Sequence, residues 1–245
     1  MSSYADVVRS QGMNRDVLDT QPNLFVKQTR KGWVQECFGC DANTEFKIAT
    51  MQDQQQDIMY AIENTSCCVR LFCGSNRPFT ITASEGGVSG GKTHSFHERA
   101  LACPLMNLKC CCFQRLEAKD HNGIFLGAVE ETCWMCVPTF QVVKQDLEVQ
   151  YHIHQPTCCG GMCVDLCSEG CCSCRIPFHV YAPGREEKGQ ELGSVTKIWS
   201  GLKKEITSDA DNFELQFPAD ADTTTKTRLL GATFLINQIF FENKN

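Results

Sequence analysis

The chain reads as a mainly β protein, a closed antiparallel barrel wrapped around a hydrophobic C-terminal helix. Three observations lead there. Short β-rich or alternating runs recur along most of the 245 residues, turn chemistry separates them, and the final segment is apolar on nearly every side. Closure follows from the last of these, because a barrel removes sheet edges and its interior must be filled.

In chain order, residues 1–20 are polar and lack periodic apolar positions, which reads as a flexible arm. One domain is expected over residues 21–245. Strands are expected at 24–27, 45–49, 58–62, 69–72, 79–82, 124–129, 140–143, 147–153, 176–181, 195–199 and 213–217. Gly86-Gly87 with Gly90-Gly91, Asn122-Gly123 and Pro183-Gly184 supply turns between them.

The segment from Arg228 to Phe241 is the one strong helix signal. At 100° per residue, Leu229, Leu230, Ala232, Phe234, Leu235, Ile236, Ile239, Phe240 and Phe241 point in nearly every direction, leaving Gly231 and Gln238 on a narrow strip. Such a helix is surrounded by protein or by lipid. Thirteen residues from Leu229 to Phe241 span about 20 Å, short of the ~30 Å hydrocarbon core of a bilayer. A helix buried in a protein core is therefore expected, with a membrane-inserted end segment as the second reading.

Composition narrows the setting. With 42% hydrophobic residues the chain can build a large core. A net charge of −6 and a pI near 5.5 argue against binding nucleic acid through the overall field. The opening residues lack a basic stretch followed by an apolar one, so a cytosolic face is expected. Cysteine is the outlier, with 18 residues. In a reducing setting these thiols are expected to be free, metal-bound or lipid-modified.

Several motifs carry chemistry, each with a plainer alternative. The segment SDADNFELQFPADAD matches part of a calcium loop, with Asp209, Asp211 and Asp220 at its first, third and twelfth positions. Its fifth and ninth positions, Phe213 and Phe217, offer no side-chain oxygen. The same residues read as a strand in which Phe213, Leu215 and Phe217 alternate with Glu214 and Gln216, and Asp220 or Asp222 suits the cap of the final helix. Cys110, Cys111 and Cys112 stand side by side next to Lys109. Burial alone would not select three thiols on both faces of a strand, so S-acylation is the expectation. Seven cysteines lie between Cys158 and Cys174, and CxxC pairs occur at Cys37/Cys40, Cys133/Cys136 and Cys171/Cys174. Structural Zn²⁺ is the weaker reading there, because the spacing does not settle which four would bind. His152 and His154 share a strand face nearby. Lys197, Trp199, Lys203 and Lys204 form a small basic-aromatic patch, either a solvated strand end or a contact for anionic lipid or a transport receptor. No phosphate loop, GxSxG or HExxH is present, so no covalent catalysis is expected.

Taken together, SNRPFTI (75–81), the triple cysteine, GSVTKIWSG (193–201), DADNFELQFPADAD and LLGATFLINQIFFE resemble the phospholipid scramblase family in order and spacing over residues 22–242. The resemblance implies a tubby-like fold, a 12-stranded barrel around its C-terminal helix. It implies Ca²⁺-activated, ATP-independent, bidirectional movement of phospholipids between leaflets. By position it assigns Ca²⁺ to Asp209, Asp211, Phe213, Leu215, Phe217 and Asp220, and palmitate to Cys110, Cys111 and Cys112. The protein would then sit on the cytosolic side of the plasma membrane, and the lysine patch falls where family members carry a nuclear import signal. The alternative is an acyl-anchored adaptor that engages anionic lipids or signalling proteins without scrambling. This sequence departs from the family at Glu214, where a Gly is expected, and at Phe113, which ends the cysteine run. Only Pro22 precedes Pro78, so SH3 or WW partners of a proline-rich arm are not expected.

Overall fold

In the computed structural model the described residues are 16–30, 44–66, 68–69, 73, 77–87, 91–101, 113–134, 137–156, 175–185, 190–198 and 211–241. Twelve strands form one closed barrel: β1 (Asn23–Arg30), β2 (Thr44–Ala49), β3 (Asp57–Asn64), β4 (Phe79–Glu85), β5 (Thr93–Arg99), β6 (Arg115–Asp120), β7 (Phe125–Glu131), β8 (Thr139–Lys144), β9 (Val149–His154), β10 (Ile176–Tyr181), β11 (Gly193–Ile198) and β12 (Asn212–Gln216). Every strand pairs antiparallel with its chain neighbours. Closure comes from β1, which pairs with β12 through Val26 opposite Phe213.

Alternation decides which side chains face inward. Phe79, Ile81 and Ala83 of β4 are buried, as are Phe140 and Val142 of β8 and Phe213 and Leu215 of β12. The outer face carries ion pairs between adjacent strands, Lys119 with Glu98 and Arg115 with Glu130. A polar exterior over an apolar interior is the reverse of a lipid-facing transmembrane barrel.

Helix α1 (Thr223–Phe240) fills the interior. Phe234 meets Phe46 of β2 with ring centroids 4.7 Å apart, Phe240 lies against Phe140 and Phe178, and Phe241 packs on Phe213 at 5.7 Å. Leu229, Leu230, Phe234, Leu235 and Ile236 are fully enclosed, and Phe240 is buried. Each such side chain contributes about 1.5–3 kcal/mol on burial. That outweighs the few tenths of a kcal/mol per residue by which the threonines of the first turns disfavour a helix. Helix α1 accordingly starts five residues earlier than the apolar pattern predicts, behind an N-cap at Asp222 whose carboxylate accepts the Thr225 N–H at 2.8 Å. No helix among the described residues is long and apolar enough to cross a membrane.

Of the expected strand at 69–72 only Val69 is described, and it is helical; residues 70–72 lie outside the described residues. Strands β5 and β6 escape the apolar pattern for a physical reason: β5 buries His94, Ser95, His97 and Arg99 while Phe96 stands half-buried, so its inward face is polar. Residues 16–20 of the expected arm are described and packed against the barrel. Leu18 is fully buried, and its carbonyl and that of Asp19 accept hydrogen bonds from Lys226 Nζ at 2.8 and 2.9 Å.

Candidate functional site

The acidic segment, the lysine of the basic patch and the terminal helix converge where β11, β12 and α1 meet. β12 is threaded between β1 and β11, with Leu215 opposite Leu24 on one side and Val195 on the other. Its backbone is therefore used in two ladders. Phe213, Leu215 and Phe217 send their side chains into the core, while Glu214 faces outward and pairs with Arg175. Asp211 lies at the head of the strand, where Oδ1 is 2.7 Å from Lys197 Nζ.

A calcium loop brings its ligands to within 2.3–2.6 Å of one ion. Here an extended strand holds Asp211 and Phe217 about 20 Å apart at ~3.3 Å per residue. Asp220 is exposed in the turn beyond, and Asp222 is engaged as the helix cap. Burial works against the Asp222 charge, yet the Thr225 hydroxyl and N–H and the neighbouring Arg228 hold its carboxyl below the usual range. The described part of the expected Ca²⁺ set, Asp211, Phe213, Leu215, Phe217 and Asp220, thus does not fit a wrapped loop in this fold. Asp209 lies outside the described residues. No group of three metal-ligating side chains occurs among the described residues.

Lys197 departs from the expected solvated patch. It is buried, bound to Asp211, and its ammonium stands 4.2 Å from the centroid of the Phe241 ring. Trp199, Lys203 and Lys204 lie outside the described residues, as do Cys110, Cys111, Cys112 and the cluster from Cys158 to Cys174. Cys133 is free and exposed. His152 and His154 lie on the outer face of β9, where the His154 ring stacks on Tyr181 at 4.6 Å.

The helix residues Leu229, Leu230, Phe234, Leu235, Ile236 and Phe240 lie together inside the wall, with the partly buried Ile239 packed against them. Sequence reasoning passed over two groups there. His97 contacts the helix edge-on at Phe234, 5.1 Å between centroids, and Gly231 admits it: a Cβ at 231 would stand 2.9 Å from His97 Nδ1. Arg228 opens the apolar stretch yet is itself buried. A lone cation at the head of an apolar helix was the available signal.

A closed antiparallel barrel plugged by its own apolar terminal helix defines the class of protein. The sequence model of one family, Scramblase, matches residues 1–243, and the chain belongs to that family. Among curated relatives, it is 35% identical to Phospholipid scramblase 2 of Bos taurus over 83% of this chain and 63% of that protein. It is 34% identical to Phospholipid scramblase 1 of Mus musculus over 83% of this chain and 56% of the relative, and 32% identical to Phospholipid scramblase 1 of Homo sapiens over 84% and 58%. The chain thus spans 56–63% of the length of these three relatives. No solved structure matches.

Proposed function

We propose that this protein moves phospholipids between membrane leaflets, in both directions and without ATP. The observation that carries the reading is the family match over residues 1–243, with phospholipid scramblases among the relatives at 32–35% identity. Association with membranes follows from the same reading. S-acylation of Cys110, Cys111 and Cys112 supplies the tether, because each buried CH₂ contributes roughly 0.8 kcal/mol. The tether sets the barrel on the cytosolic side of the plasma membrane, and a pool without acyl chains is free to reach the nucleus through the Trp199, Lys203 and Lys204 segment.

Activation by Ca²⁺ belongs to the same proposal through the resemblance, although residues 211–220 as folded do not wrap into a loop around an ion. The barrel's own residues set the physical problem. Leu229, Phe234 and Ile236 are sealed from solvent, so the barrel interior formed by the described residues presents no polar path for a headgroup through hydrocarbon. That enclosure favours the second reading, an acyl-anchored adaptor without intrinsic scrambling.

Leaflet exchange of a fluorescent phospholipid in liposomes containing the purified chain, followed with and without Ca²⁺, separates the two. Acceleration supports scrambling, and the calcium arm reads activation as a separate property. No acceleration at any Ca²⁺ level overturns scrambling and leaves the adaptor.

A further inference from the structure

Two cations of helix α1 are buried, and they are treated differently. Lys226 is satisfied from within: its ammonium donates to the Leu18 and Asp19 carbonyls and lies 5.5 Å from the Phe217 ring centroid. Arg228 is only 4% exposed, yet its guanidinium donates to one neutral group, Thr225 Oγ1, at 3.0 Å. That hydroxyl is shared with Gln150 Nε2 at 3.2 Å, and the Arg228 Nε has no partner. Among the described residues no carboxylate forms an ion pair with Arg228. A guanidinium keeps its charge under all ordinary conditions, so one buried without a direct ion pair, offset only through space by Asp222 and Asp146, is costly.

The stem is nevertheless held in place. Gly127 of β7 has φ +135°, and a Cβ there would come within 2.7 Å of Arg228 Cδ and 2.3 Å of the Val143 carbonyl. Only glycine leaves room for the arginine to lie along β7. Its guanidinium opens into a cleft of about 390 Å³ lined by Leu126, Lys144, Gln145, Asp146, Thr224 and Arg228. Lys144 is half-exposed and paired with Glu148, and Asp146 Oδ1 accepts the Glu148 N–H at 3.0 Å. Asp222, the remaining acidic neighbour, is taken up by the cap of the helix. The lining therefore presents two cations and one carboxylate, and because Glu148 offsets Lys144 from outside it, Arg228 is the cation there without a direct ion pair, which suits a singly charged oxyanion and disfavours a highly charged one.

We propose that this cleft binds a phosphate-class oxyanion, the phosphodiester of a lipid headgroup or free phosphate, anchored by Arg228 with Lys144 as the second cation. The lipid source rests on the function proposed above, whereas the oxyanion site does not. For a headgroup bearing an ammonium, Asp146 stands ready on the same rim.

The full chain is melted in sodium phosphate and in sodium glycerophosphoethanolamine, each against chloride at equal ionic strength, for wild type, Arg228→Met and Lys144→Gln. Saturable stabilisation of wild type is expected. Arg228→Met weakens the binding by about tenfold or more, while its melting temperature without phosphate stays level or rises, because an uncompensated buried charge has been removed. Lys144→Gln, at the half-exposed end of β8, keeps the fold and weakens binding less. No saturable effect on wild type overturns the proposal, as does equal stabilisation of Arg228→Met. Should Arg228→Met fail to fold, unchanged affinity in Lys144→Gln overturns it. Tighter binding of the glycerophosphodiester assigns the site to a lipid headgroup, and the reverse assigns it to free phosphate; both uphold the oxyanion site. Because binding is read without leaflet exchange, failure of scrambling leaves this result standing.

Discussion

Lys197 of β11 reaches Asp211 at the head of β12, Nζ to Oδ1 at 2.7 Å, and the same ammonium faces the ring of Phe241 at the end of α1. One side chain thereby ties two barrel strands to the C-terminal end of the helix. It also occupies the carboxylate that a cation at the acidic segment would need first.

Replacing Lys197 by Met removes the ammonium that pairs with the partly buried Asp211 carboxylate. Urea denaturation is expected to show a loss of about 3 kcal/mol. Adding Asp211→Asn to that variant should recover part of the loss, because the partly buried carboxylate charge is gone. Additive losses in the double variant would contradict the coupling.

Phe213→Ala tests whether the acidic segment is a strand or a loop. Its ring is fully buried against Phe241, so the substitution is expected to cost about 3–5 kcal/mol in chemical denaturation. Any calcium response it loses should be lost in step with folding. A stable Phe213→Ala protein with altered Ca²⁺ binding would place this residue in a loop instead.

Gly231→Val pushes a side chain into His97, whose Nδ1 an added Cβ would approach to 2.9 Å. Overpacking of this kind costs about 1–3 kcal/mol. The measurement is the melting temperature together with the imidazole resonances of His97, both of which should move. Unchanged imidazole signals would remove the contact.

His97 also makes stability depend on pH. Burial, with the charge of His94 adding to it, pushes its pKa down to about 3 from 6.5. The unfolded chain then takes up a proton that the folded chain refuses. Stability from this residue is fully present above about pH 6.5 and declines as pH falls towards 3. Urea midpoints at pH 7.5 and pH 5 should fall more steeply for wild type than for His97→Gln, and equal slopes would contradict it.

Changing Cys110, Cys111 and Cys112 to Ala tests the acyl tether. Loss of two or more chains converts stable membrane attachment into weak, reversible binding. Cell fractionation should move the protein from the membrane pellet to the supernatant. An unchanged distribution would exclude the tether.

The terminal helix and most of the wall were legible because their hydrophobic patterns are simple. Leu229, Leu230, Phe234 and Ile236 are apolar in every direction because the barrel surrounds them, and strands such as β4 and β12 alternate cleanly. Strand β5 was illegible because its inward positions are His94, Ser95, His97 and Arg99, which only neighbouring elements make tolerable. His94 is held by Asp16 from outside its own strand, at 3.0 Å. The acidic segment was legible in two ways at once, since Asp211, Phe213 and Leu215 satisfy a loop spacing and a strand alternation alike. Pairing with both β1 and β11 decides for the strand.

Local pattern by itself established an all-β wall, an apolar plug and, through its ordered motifs, the family. Those properties are written in residue type and period, which need no partner to be read. Tertiary structure alone decided that Lys197 is bound to Asp211, that Lys226 is served by backbone carbonyls, and that Arg228 is buried without a direct ion pair. Charge satisfaction depends on which distant atoms arrive at a buried group, and no spacing along the chain records that.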